Sequence, residues 1–374
     1  MSTNPFYSNI KQRFGFGCMR LPMKEGKVDH ELMNQMVDYF LDHDFNYFDT
    51  AHGYVQGMSE TALRDSLTSR YPRDSYILTN KLSVHFFNKE EQIRPLFESQ
   101  LEACGVDYFD FYLMHAQSAD IYEHFKRCNA YKIALELKKE GKIKHFGISF
   151  HDTADVLEKI LMENPEIEVV QIQLNYIDFE DVAVQSKKCY EVCKKYKKPV
   201  IVMEPCKGGN LVNLPDECKE VYDSLNNGSY ASYAIRFAAS LDQVMMVLSG
   251  MGNMEMMEDN LSYMKDFKPI NDVEKEAIDK VISIFNSKEL IPCTACRYCM
   301  EECPKQISIP DLFSCLNKKN IFHNWNEDYY YNVVYTSEGR KAKDCLKCGK
   351  CEKVCPQHLK IRELLVEVSK EFDH

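Results

Sequence analysis

The chain has 374 residues, of which 45% are hydrophobic and 28% charged, and its formal net charge is −11. This composition is typical of a globular protein long enough for two unequal domains, and the acidic balance argues against nucleic acid as a partner. Residues 1–17 lack the basic and then apolar run of a signal peptide, and no stretch approaches the roughly 18 apolar residues that span a bilayer. We therefore expect a cytoplasmic protein with no membrane segment.

Between about residues 28 and 265, short apolar runs alternate with longer segments that have one apolar face. Runs that are apolar throughout predict strands buried on both faces of a parallel sheet, and the segments between them predict helices. The predicted strands are 45–51, 75–82, 109–115, 144–150, 169–176, 199–205 and 243–251. The clearest helical patterns are 30–43, 90–104 and 183–196.

This alternation predicts an α/β fold, a (β/α)8 or TIM barrel, over residues 1–268. A doubly wound open sheet gives the same alternation, but no GxGxxG fingerprint opens a helix after a strand. Because only seven strands are visible, an eighth is expected within 116–143. The opening FGFGCMRLP (14–22) is interpreted as a short hairpin that caps one end of the barrel.

The composition changes after Ile291, where cysteine becomes dense. Before that point, apolar residues recur every four positions between 273 and 285 and form a single helical face. We interpret residues 269–288 as a linker helix and predict a second, small, mainly helical domain over 289–374. The helical patterns in that domain are 309–322 and 360–372.

One cysteine spacing, C-x2-C-x2-C-x3-C followed by proline, occurs twice in this second domain. Three thiolates two residues apart can surround one corner of a cubane, and the fourth cysteine binds the other cluster in two-cluster ferredoxins. The spacing therefore predicts two [4Fe–4S] clusters. One would lie on Cys293, Cys296, Cys299 and Cys355, and the other on Cys345, Cys348, Cys351 and Cys303.

Zinc is the alternative metal, since CxxC pairs often bind it, but four zinc ligands leave the triple spacing unexplained. The 41 residues between Cys303 and Cys345 exceed what a minimal ferredoxin hairpin needs. With its helices, the domain resembles the helical variety of two-cluster ferredoxin domain that is appended to redox enzymes.

Polar side chains stand at the ends of successive predicted strands: Asp49, Lys81 and His115 close three of them, and Tyr54 lies on the first loop. In a parallel barrel these strand ends converge on the mouth where chemistry takes place. A phenol beside an ammonium group can exchange a proton with a carbonyl oxygen, because the cation lowers the pKa of tyrosine. Asp49 would keep Lys81 charged, and a neutral His115 would orient the carbonyl. Hydride must come from a cofactor.

These residues lie in motifs that resemble the aldo-keto reductase family across residues 12–265. The motifs are GFGCMRLP, DTAHGYVQGMSE, TNKL, DFYLMH, FGIS, VVQIQLNY, MEPCKGG and LSGMGNMEMMEDNL. The resemblance implies a catalytic tetrad of Asp49, Tyr54, Lys81 and His115, with Tyr54 as the general acid in carbonyl reduction. It also implies an NAD(P)(H) cofactor. The implied cofactor contacts are Gly17, Met19, Asp49, Ser149, Gln171, Glu204, Gly250, Met251 and Asn260.

Two positions depart from the family pattern. Phe150 and His151 follow Ser149 where the family usually has asparagine, which removes one expected carboxamide contact. The segment 248–261 lacks the arginine that often binds the 2′-phosphate of NADP, and it contains three acidic residues instead. Because acidic side chains repel a phosphate, we expect NADH to be favoured over NADPH.

Hydride transfer moves two electrons, a cubane moves one, and no flavin motif connects the two chemistries. The favoured interpretation is a carbonyl reductase whose clusters stabilise the fold, support dimer contacts or sense redox state. In the alternative, the clusters relay electrons between a redox protein partner and a flavin or reducible substrate at the barrel. A third, a relay that has lost catalysis, conflicts with the intact tetrad. The identity of the small carbonyl or alcohol substrate and the oligomeric state, homo-oligomer or monomer, stay open.

Overall fold

The structure is a computed structural model. It describes residues 9–181, 184–287, 291, 293, 297–322, 326–336, 339–355 and 357–374. These residues divide into two compact units. The first contains most of residues 9–275, and the second contains Glu276 onward together with Asp181 and Leu214–Val221.

Eight parallel strands of the described chain close into a barrel in the first unit. Around the barrel the order is β1, β10, β9, β8, β7, β6, β5, β4, and β4 closes on β1. The predicted barrel fold is therefore confirmed. In chain order the strands, including the two of a small hairpin, are β1 (Phe14–Gly17), β2 (Met23–Lys24), β3 (Lys27–Val28), β4 (Tyr47–Asp49), β5 (Ile77–Leu82), β6 (Phe109–Gln117), β7 (Ile143–Phe150), β8 (Val169–Gln173), β9 (Val200–Met203) and β10 (Val244–Ser249).

Helices follow the strands through the first unit and dominate the second. They are α1 (His30–Asp42), α2 (Met58–Leu63), α3 (Ile93–Cys104), α4 (Ala119–Arg127), α5 (Ala130–Lys139), α6 (Ala154–Glu163), α7 (Ser186–Lys195), α8 (Asp216–Asp223), α9 (Tyr230–Ala239), α10 (Met254–Met264), α11 (Asp272–Asn286), α12 (Tyr298–Glu301), α13 (Ile309–Phe322), α14 (Asn326–Tyr329), α15 (Lys350–Lys353) and α16 (Ile361–Phe372). None of the helices in the described residues has the length and apolar character needed to cross a membrane.

The eighth barrel strand is not where the sequence predicted it. Residues 116–143 form the end of β6, α4, α5 and only the first residue of β7, and the missing strand is β1, which pairs with both β10 and β4. The interpretation of FGFG as part of a hairpin is therefore wrong, and the hairpin is β2–β3. Gly15 explains the weak strand signal. A Cβ there would lie 2.8 Å from the Leu248 side chain and 2.9 Å from Tyr47, so this inward position has to be glycine.

The barrel core has an inner and an outer apolar layer, which follow from the alternation of side chains along each strand. The inner layer consists of Tyr47, Ile77, Phe111, Leu113, Val169, Ile201, Met246 and Leu248. Helices cover the outside with one apolar face each. In α1 the buried residues Met33, Met36, Val37 and Phe40 recur at helical spacing, and the Asp29 side chain caps the helix by accepting the Leu32 N–H at 3.1 Å.

The second unit has its own apolar core, to which the helices α13 and α16 contribute. Tyr331 is fully buried and stacks on Phe372 with 4.5 Å between ring centroids. Its hydroxyl donates to Asp373 at 3.0 Å and accepts the Ala342 N–H at 2.9 Å. Two of the helices beside the cysteine motifs, α12 and α15, are only one turn long. Regular secondary structure therefore does not by itself hold the cysteine loops in place.

Candidate active site and cysteine sites

The predicted catalytic and cofactor residues lie at the carboxyl ends of neighbouring barrel strands. Asp49 is the last residue of β4, and Lys81 lies one residue before the end of β5. Ser149 in β7 is paired in register with Gln171 in β8. His115 lies within β6 between the paired residues Met114 and Gln117, where the register with β7 shifts. The parallel topology thus brings together residues that are far apart in sequence.

Lys81 and Asp49 form a buried ion pair at the base of the mouth. The Lys81 Nζ donates to Asp49 Oδ1 at 2.5 Å and to the backbone carbonyl of Thr50 at 2.8 Å. Burial by itself would lower the pKa of Lys81, but the neighbouring Asp49 and Tyr54 raise it above its ordinary value. The lysine is therefore held as a charged, fixed ammonium group.

Tyr54 lies directly beside this ammonium group. The Lys81 Nζ is 4.8 Å from the centroid of the Tyr54 ring. The tyrosine begins a tight turn in which Val55 and Gln56 have φ angles of 51° and 54°. Burial raises the pKa of the Tyr54 phenol above its ordinary value, while Lys81 opposes the rise. The expected net lowering is therefore wrong, although Lys81 acts in the expected direction. Tyr54 is a protonated phenol next to a cation.

His115 also lies beside the phenol. Its ring lies edge-on to Tyr54 with 5.8 Å between centroids, and its Nδ1 shares a 2.5 Å hydrogen bond with the Ser83 hydroxyl. Burial and then the positive Lys81 hold the pKa of His115 well below its usual range, so the imidazole is neutral. The next residue, Ala116, has a φ of 52°, a strained conformation for alanine, and its N–H donates to Ser149 Oγ at 2.7 Å.

Gln171 offers the clearest sign that a polar ligand binds here. Its side chain is buried, and its Oε1 has no hydrogen-bond partner among the described residues. A buried amide oxygen without a donor is costly, and a carboxamide NH2 from a nicotinamide would satisfy it. Ser149 Oγ accepts the Ala116 N–H and still has its own proton to donate. These two neighbours therefore fit the amide group of the cofactor.

The other predicted cofactor contacts surround the end of β10. Gly17 lies close to the Ser249 backbone, since a Cβ at Gly17 would be 3.3 Å from the Ser249 carbonyl oxygen. Asn260 donates to Ser249 Oγ at 3.1 Å. Gly250 packs against the side chain of Arg20, and Met19 is 48% exposed. These positions share one rim of the barrel mouth, but the side chain of Asn260 is already used within the protein.

Two of the predicted contacts are placed differently from the rest. Met251 is fully buried in the apolar core, so only its backbone can face a ligand. Glu204 follows β9 with a φ of 58°, and its Oε1 is 3.9 Å from the Arg20 guanidinium.

His151, at the position where the family usually has asparagine, is partly buried. Burial lowers the pKa of His151 to about 4.

The cysteines of the second motif line one cavity, which we call the Cys345 cavity. Cys303 from the first motif lines it together with Cys345, Cys348 and Cys351. The Cys345 Sγ accepts the Lys347 N–H at 3.4 Å, and the Cys303 Sγ accepts the Ile307 N–H at 3.5 Å. Backbone donors of this kind stabilise ligated sulfur. Four sulfurs around one space therefore fit a cubane.

A second cavity, the Cys293 cavity, is lined by Cys293 and Cys299 from the first motif and by Cys355 from the second. Cys296, the fourth predicted ligand, lies outside the described residues. Each cavity is thus lined by cysteines of both motifs, Cys303 lying with the second motif and Cys355 with the first. Among the described residues, no three His, Cys, Asp or Glu side chains lie close enough to hold a single metal ion.

Comparison with known families agrees with both halves of this description. The profile of the aldo/keto reductase family matches residues 13–283. The chain belongs to this family. The match confirms the predicted class of enzyme, an NAD(P)(H)-dependent oxidoreductase of the aldo-keto reductase type. The profile of the 4Fe-4S dicluster domain matches residues 292–359, which confirms the iron–sulfur domain.

The relatives of this aldo/keto reductase are distant in sequence. An NADH-specific methylglyoxal reductase of Escherichia coli is 26% identical over 189 residues, which cover 44% of this chain and 56% of that protein. The uncharacterized oxidoreductase YqkF of Bacillus subtilis is 24% identical over 67% of this chain and 78% of its own length. The chain therefore spans little more than half of the first relative.

Solved structures share the fold. An aldo-keto reductase from Bacillus halodurans in its holo form has a TM-score of 0.58 and 23% identity, over 72% of this chain and 91% of that chain. An aldo-keto reductase from Klebsiella pneumoniae in complex with NADPH has a TM-score of 0.57 and 17% identity, over 72% and 90%.

Three polar groups at the mouth of this aldo/keto reductase were not predicted from the sequence. Ser83 bonds His115, and Arg20 packs over Gly250. Lys207 forms a buried ion pair with Asp178, at 3.1 Å to both carboxylate oxygens. Ser83 and Arg20 each follow the end of a strand, as the tetrad residues do, so the strand-end criterion could have found them. The Lys207–Asp178 pair joins two loops and leaves no local signal.

Proposed function

We propose that this protein interconverts a small carbonyl compound and its alcohol at the barrel mouth, with hydride supplied by a bound nicotinamide cofactor. One observation carries the proposal: the Lys81 ammonium lies 2.5 Å from Asp49 and 4.8 Å from the centroid of the Tyr54 ring, and the His115 ring lies edge-on to that ring at 5.8 Å. This arrangement places one protonated phenol beside both a fixed cation and a neutral imidazole, which suits proton delivery to a carbonyl oxygen.

The proton comes from Tyr54. As the carbonyl carbon is reduced, negative charge develops on its oxygen, and the phenol donates its proton there. Lys81 stabilises the phenolate that remains, because its ammonium is held in place by Asp49. His115, neutral and fixed by Ser83, orients the carbonyl oxygen. In alcohol oxidation the same groups act in reverse.

The nicotinamide supplies hydride and accepts it in the reverse direction. Its amide would bind between Ser149 and Gln171, as the unpartnered Gln171 Oε1 supports. Backbone and side chains of the β1 and β10 rims, Gly17, Met19, Gly250, Met251 and Asn260, would form the rest of the site with Glu204 and Asp49. NADH is favoured, since Glu255 and Asp259 stand on α10 where a 2′-phosphate would need a cation. Arg20, which packs against Gly250, is a nearby cation that could reverse this preference.

Two [4Fe–4S] clusters would be held in the two cavities, one on Cys303, Cys345, Cys348 and Cys351, and one on Cys293, Cys296, Cys299 and Cys355. The clusters take no part in hydride transfer; they stabilise the domain or exchange electrons with a partner.

The domain limits that we propose are 1–268 for the barrel, 269–288 for the linker helix and 289–374 for the cluster domain. A reducing cytoplasm suits a chain in which eight of the sixteen cysteines lie in two metal-binding motifs.

The test uses anaerobically purified protein and the variant Tyr54→Phe. With NADH and a panel of small aldehydes, Tyr54→Phe lowers kcat at least about 100-fold, while the affinity for NADH, measured by fluorescence quenching, stays within about twofold. Tighter binding of NADPH than of NADH contradicts the cofactor preference. An electron paramagnetic resonance signal from reduced clusters, after NADH is added without carbonyl, contradicts the separation of clusters from hydride chemistry.

A further inference from the structure

Positive charge is concentrated at one of the two cysteine motifs. Residues 340–362, which contain the second motif, carry eight lysine and arginine residues and two acidic ones, in a chain whose net charge is −11. The corresponding residues around the first motif, 288–310, carry three basic and three acidic residues. The two motifs therefore have the same ligands but very different surroundings.

The basic side chains form an exposed surface around the Cys345 cavity, which we call the basic face. It consists of Lys305, Lys347, Lys350, Lys353, Lys360 and Arg362, all exposed. Lys305 and Arg362 line the cavity itself. Three acidic residues nearby are engaged within the unit, since Glu352 pairs with Arg362 at 2.7 Å, Glu363 pairs with Lys360 at 3.5 Å, and Asp344 accepts the Lys341 N–H at 2.9 Å. The surface that remains for a partner is thus positive.

The middle of the basic face is apolar. Leu346, which lines the Cys345 cavity, is 60% exposed, and Val354 is 36% exposed. Cys348, one of the proposed ligands, is itself exposed, so the cluster would come close to the protein surface. An apolar centre surrounded by charges of one sign is suited to a short-lived protein complex, in which charge guides the encounter and the apolar centre makes the contact.

The basic face is not explained by a need to neutralise the negative charge of a bound cluster. The Cys293 cavity would hold an identical cluster, yet its motif has no surplus of basic residues. A nucleic acid or a lipid surface is also disfavoured. Because residues 340–362 contribute +6 to a net charge of −11, the rest of the chain carries −17 and repels an extended polyanion. A compact acidic protein avoids this repulsion because it contacts only the basic face.

We propose that the basic face docks a small acidic electron-carrier protein, which exchanges single electrons with the cluster on Cys303, Cys345, Cys348 and Cys351. This inference rests on the cluster assignment of the proposed function. In each exchange the reduced carrier loses one electron and the cluster gains one, and no bond forms or breaks. The Cys293 cluster has no such basic face and is not the docking site.

The test measures binding of an acidic plant-type ferredoxin to the anaerobic full-length protein by calorimetry at increasing NaCl concentrations. The variant is Lys350→Glu/Lys353→Glu. The control is Lys139→Glu/Lys194→Glu, which changes the net charge equally at exposed lysines of the barrel. We expect the wild-type Kd to rise more than tenfold between 20 and 300 mM NaCl, in the range of salt effects on steered association. At low salt the basic-face variant binds at least about tenfold more weakly, and the control stays within about twofold of wild type.

Two measurements distinguish failure of this inference from failure of the proposed function: the iron content, and the electron paramagnetic resonance spectrum after reduction with dithionite. Wild-type protein without clusters overturns the cluster assignment. The docking surface is overturned if the protein contains both clusters but ferredoxin does not bind. It is also overturned if binding does not depend on salt, or if both variants weaken it equally. Binding of anionic phosphatidylglycerol vesicles or of duplex DNA with equal affinity also overturns it. If the basic-face variant loses its clusters, the wild-type salt series decides the outcome.

Discussion

At the scale of single residues, the site depends on one buried ion pair. The side chains of Lys81 and Asp49 are 1% and 4% exposed, and Asp49 Oδ2 has no hydrogen-bond partner among the described residues. Breaking such a pair leaves a buried charge without compensation, whereas removing both charges is far less costly. Lys81→Met is expected to lower the free energy of unfolding by about 3–5 kcal/mol, and Asp49→Asn/Lys81→Met is expected to recover most of that loss. Urea denaturation measures both, and a double variant no more stable than Lys81→Met contradicts the pairing.

Two partly buried histidines beside the mouth, His115 and His151, make the stability of the protein sensitive to acid. Burial lowers the pKa of His151 to about 4, while the unfolded chain has the ordinary histidine value of about 6.5. Between these values the unfolded state binds a proton that the folded state does not. His151 therefore costs no stability above pH 6.5 and destabilises the fold as the pH falls towards 4, by at most about 1.4 kcal/mol per pH unit.

His151→Gln should accordingly flatten the loss of stability between pH 6.5 and 4, as measured by urea denaturation at a series of pH values. His30→Gln, at an exposed histidine, provides the matched control. Parallel pH profiles for wild type and His151→Gln would show that His151 is not held neutral in the fold. His115, which burial also keeps neutral, contributes in the same direction and remains in both variants.

At the scale of the elements, close approach between strands depends on glycine. Gly147 in β7 faces the neighbouring strands so closely that a Cβ would lie 2.6 Å from the Val169 carbonyl oxygen and 2.7 Å from the Leu113 side chain. Backbone cannot move aside as a flexible side chain can, so Gly147→Ala is expected to destabilise the barrel by about 1–3 kcal/mol. Gly252→Ala, where a Cβ meets nothing within 4 Å, is expected to have little effect. Equal melting temperatures for both variants contradict this account.

Most elements could be predicted from the sequence because their signals are local. Seven strands and the helices α1, α3 and α11 follow the apolar patterns. An element that is buried on one or two faces needs apolar residues at a regular spacing, and this spacing is visible in the sequence. β1 could not be recognised in this way. It has four residues, two of them glycines, and its strand conformation is set by pairing with β10 and β4.

The candidate site shows the same division. Strand ends could be read from the pattern, so Asp49, Lys81 and His115 were predicted together. The Ser83 contact to His115 and the Lys207–Asp178 pair depend on how loops fold back over the barrel, which the pattern does not contain. The sign of the net pKa shift of Tyr54 was also missed, because the effect of burial exceeds that of Lys81 and burial cannot be read from residue types.

At the scale of the whole molecule, the two units differ in what stabilises them. The first unit has an eight-stranded barrel with inner and outer apolar layers. The second has a small core into which cysteines themselves are packed, Cys299 and Cys351 each 6% exposed, and helices α12 and α15 of four residues. Metal clusters commonly supply the stability that so small a core lacks. Loss of the clusters should therefore unfold the second unit and spare the first.

Removal of iron from the full-length protein tests this difference. After mild oxidation and chelation under argon, hydrogen exchange is expected to show loss of protection in α13 and α16, while β5 to β8 keep theirs, because the barrel core contains no cluster ligand. Carbonyl reduction with NADH is expected to stay within about twofold, since the Tyr54 proton path lies wholly in the barrel. Reconstitution with iron and sulfide should restore protection in α13 and α16. A parallel loss of barrel protection, or of reductase activity that reconstitution restores, would show instead that the clusters support the barrel and its chemistry.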